Sequence, residues 1–209
     1  MKVLLINGSP KAQGCTYTAL CEVAKALEKE NIETEIFHVG NKPIRGCTAC
    51  RGCSGENSGK CNFDEDTVNI ALEKAKEADA FVFGSPVHYA AASGQITSFL
   101  DRCFYAGGKY FQYKPGAAVV SCRRGGSTAA LDQLNKYFTI SNMPIAASQY
   151  WNMVHGNTPE EVKQDLEGMQ IMRTLGKNMA WLLKCIHAGK AAGIGLPEKE
   201  QKVATNFIR

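Results

Sequence analysis

Four of the nine cysteines in this 209-residue chain, Cys47, Cys50, Cys53 and Cys61, fall in the sixteen residues GCTACRGCSGENSGKC, positions 46 to 61. Their spacing is C-x2-C-x2-C-x7-C. Three thiolates at equal three-residue steps can wrap one iron-sulfur cube, and a more distant fourth completes the ligand set. Gly46, Gly52, Gly55 and Gly59 give the segment freedom to wrap. Zinc is less apt, because structural zinc usually takes two separated C-x2-C pairs or mixed Cys and His ligands, and here a trio is followed by a single Cys. An odd number of cysteines without an export signal suits a reducing compartment, so a disulfide framework is the weakest reading. Two readings stay open: the four cysteines hold a [4Fe-4S] cluster, or they are reduced thiols on the rim of a pocket.

Three further loops are rich in small and polar residues. GSPKAQGCTYT follows the first apolar run and offers hydroxyls and free amides just before a helix, where unpaired N–H groups and the helix dipole favour an anion. It is neither a P-loop, which needs Gly-Lys-Ser/Thr, nor a G-x-G-x-x-G fingerprint. GSPVHYAAASGQ repeats Gly-Ser-Pro at residues 84 to 86, then gives His88, Tyr89 and small residues on which a flat ring could lie. SCRRGGST brings Gly125 and Gly126 to a helix start, where backbone can closely approach a ligand. Taken singly, each is also compatible with an ordinary βα turn.

The elements around these loops alternate. KVLLIN, IETEIFHV, DAFVFGSP and GAAVVSC read as strands, with a weaker fifth near MPIAASQ. Between them lie helical stripes: Ala19, Leu20, Val23, Ala24 and Leu27; then Val68, Ala71, Leu72 and Ala75, begun by Asp64, Glu65 and Asp66; then Ile96, Phe99, Leu100, Cys103 and Phe104, capped by Ser93; then Leu131, Leu134 and Phe138. One long helix is predicted over about residues 159 to 188, with Val162, Leu166, Met169, Leu175, Met179, Leu182 and Ile186 inward. Five β/α alternations imply an α/β fold, a doubly wound parallel sheet with helices on both faces. In such a sheet the loops after strands one, three and four converge at the edge where ligands bind. The predicted organisation is one domain over residues 1–188 and a tail over 189–209 ending on apolar Phe207 and Ile208.

GSPKAQGCT after the first strand, EADAFVFGSPVHYAAASGQITSFLDR around the third, and the terminal TNFIR resemble the NADPH-dependent FMN reductase family of flavodoxin-like flavoproteins. The resemblance covers about the first 150 residues and implies a five-stranded sheet in the order 2-1-3-4-5 with FMN at its carboxyl edge. On matching positions, Ser9, Lys11, Gly14, Cys15 and Thr16 would surround the FMN phosphate, Cys15 standing where the family usually has Asn. Pro86, Val87, His88 and Tyr89 would line the isoalloxazine, with His88 a candidate proton donor, and Ser121, Gly125 and Gly126 would close the other side. The cysteine segment also resembles that of the iron-sulfur flavoprotein branch, which carries C-x2-C-x2-C-x(4 to 7)-C after the second strand. In that position a cluster would lie on the flavin side of the sheet.

The resemblance implies an FMN oxidoreductase that takes electrons from NAD(P)H or a reduced ferredoxin and passes them to a small acceptor such as a quinone, a flavin or a nitro compound. The alternatives are an iron-sulfur flavoprotein carrying electrons between protein partners, and a non-redox protein that binds a phosphate ligand. The formal net charge is +4 with basic residues scattered, so a nucleic-acid partner is not expected. The four consecutive apolar residues before Asn7 are too few for a signal peptide, and no run of about eighteen apolar residues follows, so a soluble cytoplasmic protein without a membrane partner is expected. The long Met-rich helix and apolar tail suggest a homodimer or homotetramer.

Overall fold

A computed structural model describes residues 1–55, 58–201, 203 and 205. Its elements run β1 Lys2–Asn7, α1 Cys15–Glu28, β2 Glu33–His38, α2 Val68–Glu77, β3 Ala80–His88, β4 Ala91–Ala92, α3 Gly94–Gly107, β5 Gly116–Cys122, α4 Ser127–Ile140, β6 Met153–His155, α5 Pro159–Gln164 and α6 Leu166–Ala191. The sheet order is β2-β1-β3-β5-β6, every pair along it parallel. Two-residue β4 folds back antiparallel onto the end of β3. With that hairpin set aside, the order is the expected 2-1-3-4-5.

Side-chain alternation divides the core in two. Leu4, Ile6, Phe81, Phe83, Ala118 and Val120 face α2, α3 and α4, whereas Val3, Leu5, Ala80, Val82, Ala117 and Val119 face α1 and α6. Strands covered on both faces read as continuous apolar runs, which is why KVLLIN and DAFVFGSP were recognisable. Edge strand β2 keeps one polar side, and its Glu35 pairs with Lys2 and Lys74.

Two expected elements are corrected. The fifth strand is Met153–His155, not the segment near MPIAASQ, where Ile145 makes an isolated bridge to Gly116. Pro144 lacks an amide hydrogen and interrupts any ladder there. The single long helix is two. Thr158 caps α5, accepting from the Glu161 amide, and Asp165 caps α6, accepting from the Gly168 amide at 2.9 Å. That break resets the helical phase: Leu166 is 77% exposed and Ile186 is exposed, while Met169, Met172, Met179 and Leu183 form the buried stripe. Helix α6 runs on to Ala191 and stops in a Schellman motif, with Gly193 at φ +86° and the Ile194 amide donating to the Gly189 carbonyl. Phe207 and Ile208 of the tail lie outside the described residues, as do the last four residues of TNFIR. No helix among the described residues is long and apolar enough to cross a membrane.

Helices α1 and α6 touch through Gly176, where an added Cβ would come within 2.6 Å of Ala26 Cβ and 2.8 Å of the Val23 carbonyl oxygen. Alanine would gain about 1 kcal/mol of helix propensity, but forcing apart a packed backbone costs about 1–3 kcal/mol. Gly176→Ala should therefore lower the urea midpoint with an unchanged m-value; a raised midpoint would refute this account of the contact.

Candidate functional site

The carboxyl edge of the sheet is organised by the two Gly-Ser-Pro segments: the first is a turn after β1, whereas the second, residues 84 to 86, is not the expected loop but part of β3, paired with β5. Register places Asn7 beside Gly84 and Pro86 beside Ser121, and the Gly8 amide donates to the Gly84 carbonyl at 2.9 Å. Ser93 ties the two segments together. Its hydroxyl donates to the Gly8 carbonyl (3.0 Å) and accepts from the Ile96 amide (3.3 Å), capping α3 as expected, and its own amide donates to the Ser85 hydroxyl (3.0 Å). A Cβ on Gly8 would sit 2.6 Å from Ile96 Cβ, so this crossing requires glycine.

The turn after β1 is shaped from within. Asn7 Oδ1 accepts from the Ser9 amide and its Nδ2 donates to the Ala12 carbonyl, while Ser9 Oγ accepts from the Lys11 amide. His38, at the end of β2, donates from Nε2 to the Ser9 carbonyl at 2.8 Å. Helix α1 then begins at Cys15 with no side-chain cap and no acidic residue in its first turn, among the described residues. Its first N–H groups are left for an anion. Thr16 and Ser121 share a buried hydroxyl hydrogen bond of 2.8 Å that joins α1 to β5. Burial holds the Cys15 thiol above its ordinary pKa, so it is a donor, and its Sγ lies 3.6 Å from the Gly156 carbonyl.

These turns surround a cleft of roughly 260 Å3 lined by Ser9, Lys11, Cys15, Thr16, Pro86, Val87, His88 and Ser121, together with Pro10, Cys122, Arg123, Gly156 and Asn157. Lys11 and Arg123 supply two cations, and among the described residues none that lines the cleft is acidic. Gly14 is the N-cap of α1. Tyr89 and Ala90 form the exposed tip of the β3–β4 hairpin, with φ of 47° and 60°, and the Tyr89 side chain is fully solvated. Gly125 and Gly126 begin α4 without lining the cleft; Gly126, at φ +87°, packs against Ala90, whose Cα a Cβ there would meet at 2.6 Å. The set of hydroxyls, cations and unpaired amides fits a flavin phosphate, and Pro86, Val87 and His88 offer the strand edge for a ring. Sequence reasoning missed Gly156 and Asn157, because their strand was assigned elsewhere.

The four cysteines line a second cavity of about 270 Å3, with Phe63, Arg102, Tyr105 and Ala106 among its walls. Cys61 is buried, Cys53 half-buried, and Cys47 and Cys50 exposed. Burial, and then the neighbouring Cys61, Cys47 and Cys50 sulfurs, push the Cys53 thiol up. Ala49 and Arg51, on either side of Cys50, adopt left-handed φ of 52° and 58°, which turns the chain sharply between ligand positions. Asn69 anchors the far end: its Oδ1 accepts from the Cys61 amide at 2.7 Å and its Nδ2 donates to the Cys61 carbonyl at 2.9 Å. Among the described residues, no three Cys, His, Asp or Glu side chains converge closely enough to hold a metal ion. The donor set of four thiols lining one cavity fits a cluster in its chemistry.

The expected position of this loop is corrected. It leaves the carboxyl edge and descends along α3: Arg45 bonds Arg102, Cys53 lies against the Tyr105 carbonyl, and the Gly59 amide donates to Ala106. The cysteines flank the C-terminal half of α3 and are absent from the described lining of the cleft at the carboxyl edge. The Arg102 and Asn69 contacts, not the end of β2, decide where the loop goes. Asp66, read as part of a helix start, also pairs with Arg102.

The family model for NADPH-dependent FMN reductase matches residues 1–158. An iron-sulfur flavoprotein of Methanocaldococcus jannaschii is 34% identical over 194 residues, which is 89% of this chain and 99% of that protein. Among solved structures, RosB with a bound 8-demethyl-8-formylriboflavin-5′-phosphate intermediate superposes with a TM-score of 0.68 at 17% identity, covering 100% of this chain and 94% of that one. An archaeal flavodoxin gives 0.58 at 17%, covering 88% and 99%. At such identities the structural likenesses speak for the fold, which is flavodoxin-like. The extent of the sequence matches does the rest: the chain belongs to the NADPH-dependent FMN reductase family, in its iron-sulfur flavoprotein branch.

Proposed function

We propose that this chain is an FMN-dependent oxidoreductase that also holds a [4Fe-4S] cluster on Cys47, Cys50, Cys53 and Cys61. It would pass electrons from NAD(P)H or a reduced ferredoxin to a small acceptor such as a quinone, a flavin or a nitro compound. The observation that carries this reading is the meeting of the loops after β1 and β5 with the last residues of β3 in one cleft, with two cations and an uncapped helix start.

Bound FMN supplies hydride acceptance and the release of electrons singly or in pairs, and a cluster supplies single-electron transfer. The chain's own residues do the rest. Lys11, Arg123 and the first amides of α1 hold the phosphate by charge and hydrogen bonding. Thr16, locked to Ser121, keeps α1 at a fixed distance from β5, so the phosphate and ring sites cannot drift apart. His88 is exposed at the end of β3 and lines the cleft, where it could relay a proton between solvent and a bound substrate.

A second reading is favoured by one observation. Cys47 and Cys50 are exposed on a surface away from the cleft, as suits a site where a protein partner exchanges electrons. A protein of this kind is a carrier, reacting faster with reduced ferredoxin than with NADPH. In solution it would be a homodimer or homotetramer.

The anaerobically purified protein should show flavin bands with a broad shoulder near ~400 nm and about four irons and four sulfides per chain. Flavin bands without iron would mean bare thiols. NADPH should bleach the flavin absorbance; bleaching by reduced ferredoxin alone favours the carrier. Thr16→Val, which removes the hydroxyl facing Ser121, should weaken FMN binding about tenfold, or ~1.4 kcal/mol, in a fluorescence titration. Unchanged affinity would remove Thr16 from the phosphate site.

A further inference from the structure

Arg102 is a buried cation in the apolar face of α3, only 1% exposed, and among the described residues every side-chain hydrogen bond it makes goes to the cysteine loop. Nε donates to Cys61 Sγ at 3.3 Å, Nη2 donates to the Phe63 carbonyl at 2.8 Å, and Nη1 donates to the Arg45 carbonyl and pairs with the Asp66 carboxylate. The backbone contacts, at Arg45 and Phe63, close the two ends of the loop onto one guanidinium. The contact to sulfur is of a different kind. A thiol needs no cation, and a buried guanidinium facing sulfur is best matched by a sulfur carrying negative charge, as a metal-bound thiolate does.

We propose that Arg102 is a positioning residue that sets the reduction potential of the cluster, through its Nε–H hydrogen bond to Cys61 Sγ and its charge, with Asp66 as the counterweight. This rests on the reading that the four cysteines hold a cluster. Reduction adds one electron, and hence one negative charge, to the cluster and its sulfurs. A hydrogen-bond donor and a cation beside a ligand sulfur stabilise the reduced form and raise the potential; a carboxylate nearby opposes them. Asp66 is 13% exposed at its side chain, so its field on the cavity is only partly screened by water.

The two partners therefore predict shifts of opposite sign. Arg102→Met should lower the midpoint, cutting the reduced-to-oxidised ratio about tenfold at the wild-type midpoint, about 59 mV for one electron. Asp66→Asn, which keeps the shape of the side chain, should raise it by a comparable factor. Both are read by anaerobic titration followed by visible absorbance and electron paramagnetic resonance, with FMN content per chain reporting a folded protein. If Arg102 only folds the loop, both variants lose iron and the iron retained keeps the wild-type potential; that result, or shifts of the same sign, overturns the proposal. If Arg102→Met yields no iron-loaded protein, Asp66→Asn decides alone, a rise supporting it and no rise overturning it. Wild-type protein without iron and sulfide would instead defeat the cluster reading, and this inference with it.

Discussion

Where β1 ends beside the middle of β3, two glycines cross with no side chain between them, and the Gly8 amide reaches the Gly84 carbonyl. Ser93 closes this crossing from the other side by bonding the turn after β1 and strand β3 and starting α3. The arrangement leaves little slack: a Cβ on Gly8 would collide with Ile96, and one on Gly84 would meet Thr16 and Leu20 at 2.8 Å. The start of α1, the start of α3 and the middle of β3 are thus referred to one point. The cleft is open because the backbones beneath it are as close as backbones can be.

The cysteine loop is built on the opposite plan. It has little regular structure between Gly40 and Thr67, and its order comes from side chains that reach in from its neighbours, above all Arg102 and Asn69. Burying a guanidinium is expensive, and removing one partner of a buried pair typically costs about 3–5 kcal/mol. Here the expense is offset by hydrogen bonds to two carbonyls, a carboxylate and a sulfur. Arg45 adds its own cation over the Phe63 ring at 4.4 Å, so the loop's return is held by charge as well as packing.

The sequence was most readable where one periodicity ruled. Strands buried on both faces and the stripes of α1 to α4 could be assigned from apolar spacing, and the convergence of the loops followed from the topology of a doubly wound sheet. Reading failed where a side chain overrode the pattern. Asp165 splits the last helix by capping it, an effect that apolar spacing alone does not reveal, and Pro144 spoils a segment that otherwise looks like a strand. Arg102 was hidden for a related reason. It sits three residues after Phe99 on an inward face, where a lone Arg demands a partner, but its partners are 36 to 57 residues away and emerge only on folding. Gly156 and Asn157 were lost with the misplaced strand that carries them.

Helix α3 has its first turn in the glycine crossing and its ninth residue, Arg102, in the cysteine cavity. At 1.5 Å per residue, the nine steps from Ser93 to Arg102 span about 14 Å. The helix is therefore a ruler. Neither cavity can shift along it without breaking a cap or a buried guanidinium, so their separation is a fixed property of the chain. The exposed hairpin tip at Tyr89 and the Cys47–Cys50 arc stand free of that ruler, and they are where an approaching molecule would find room to adjust.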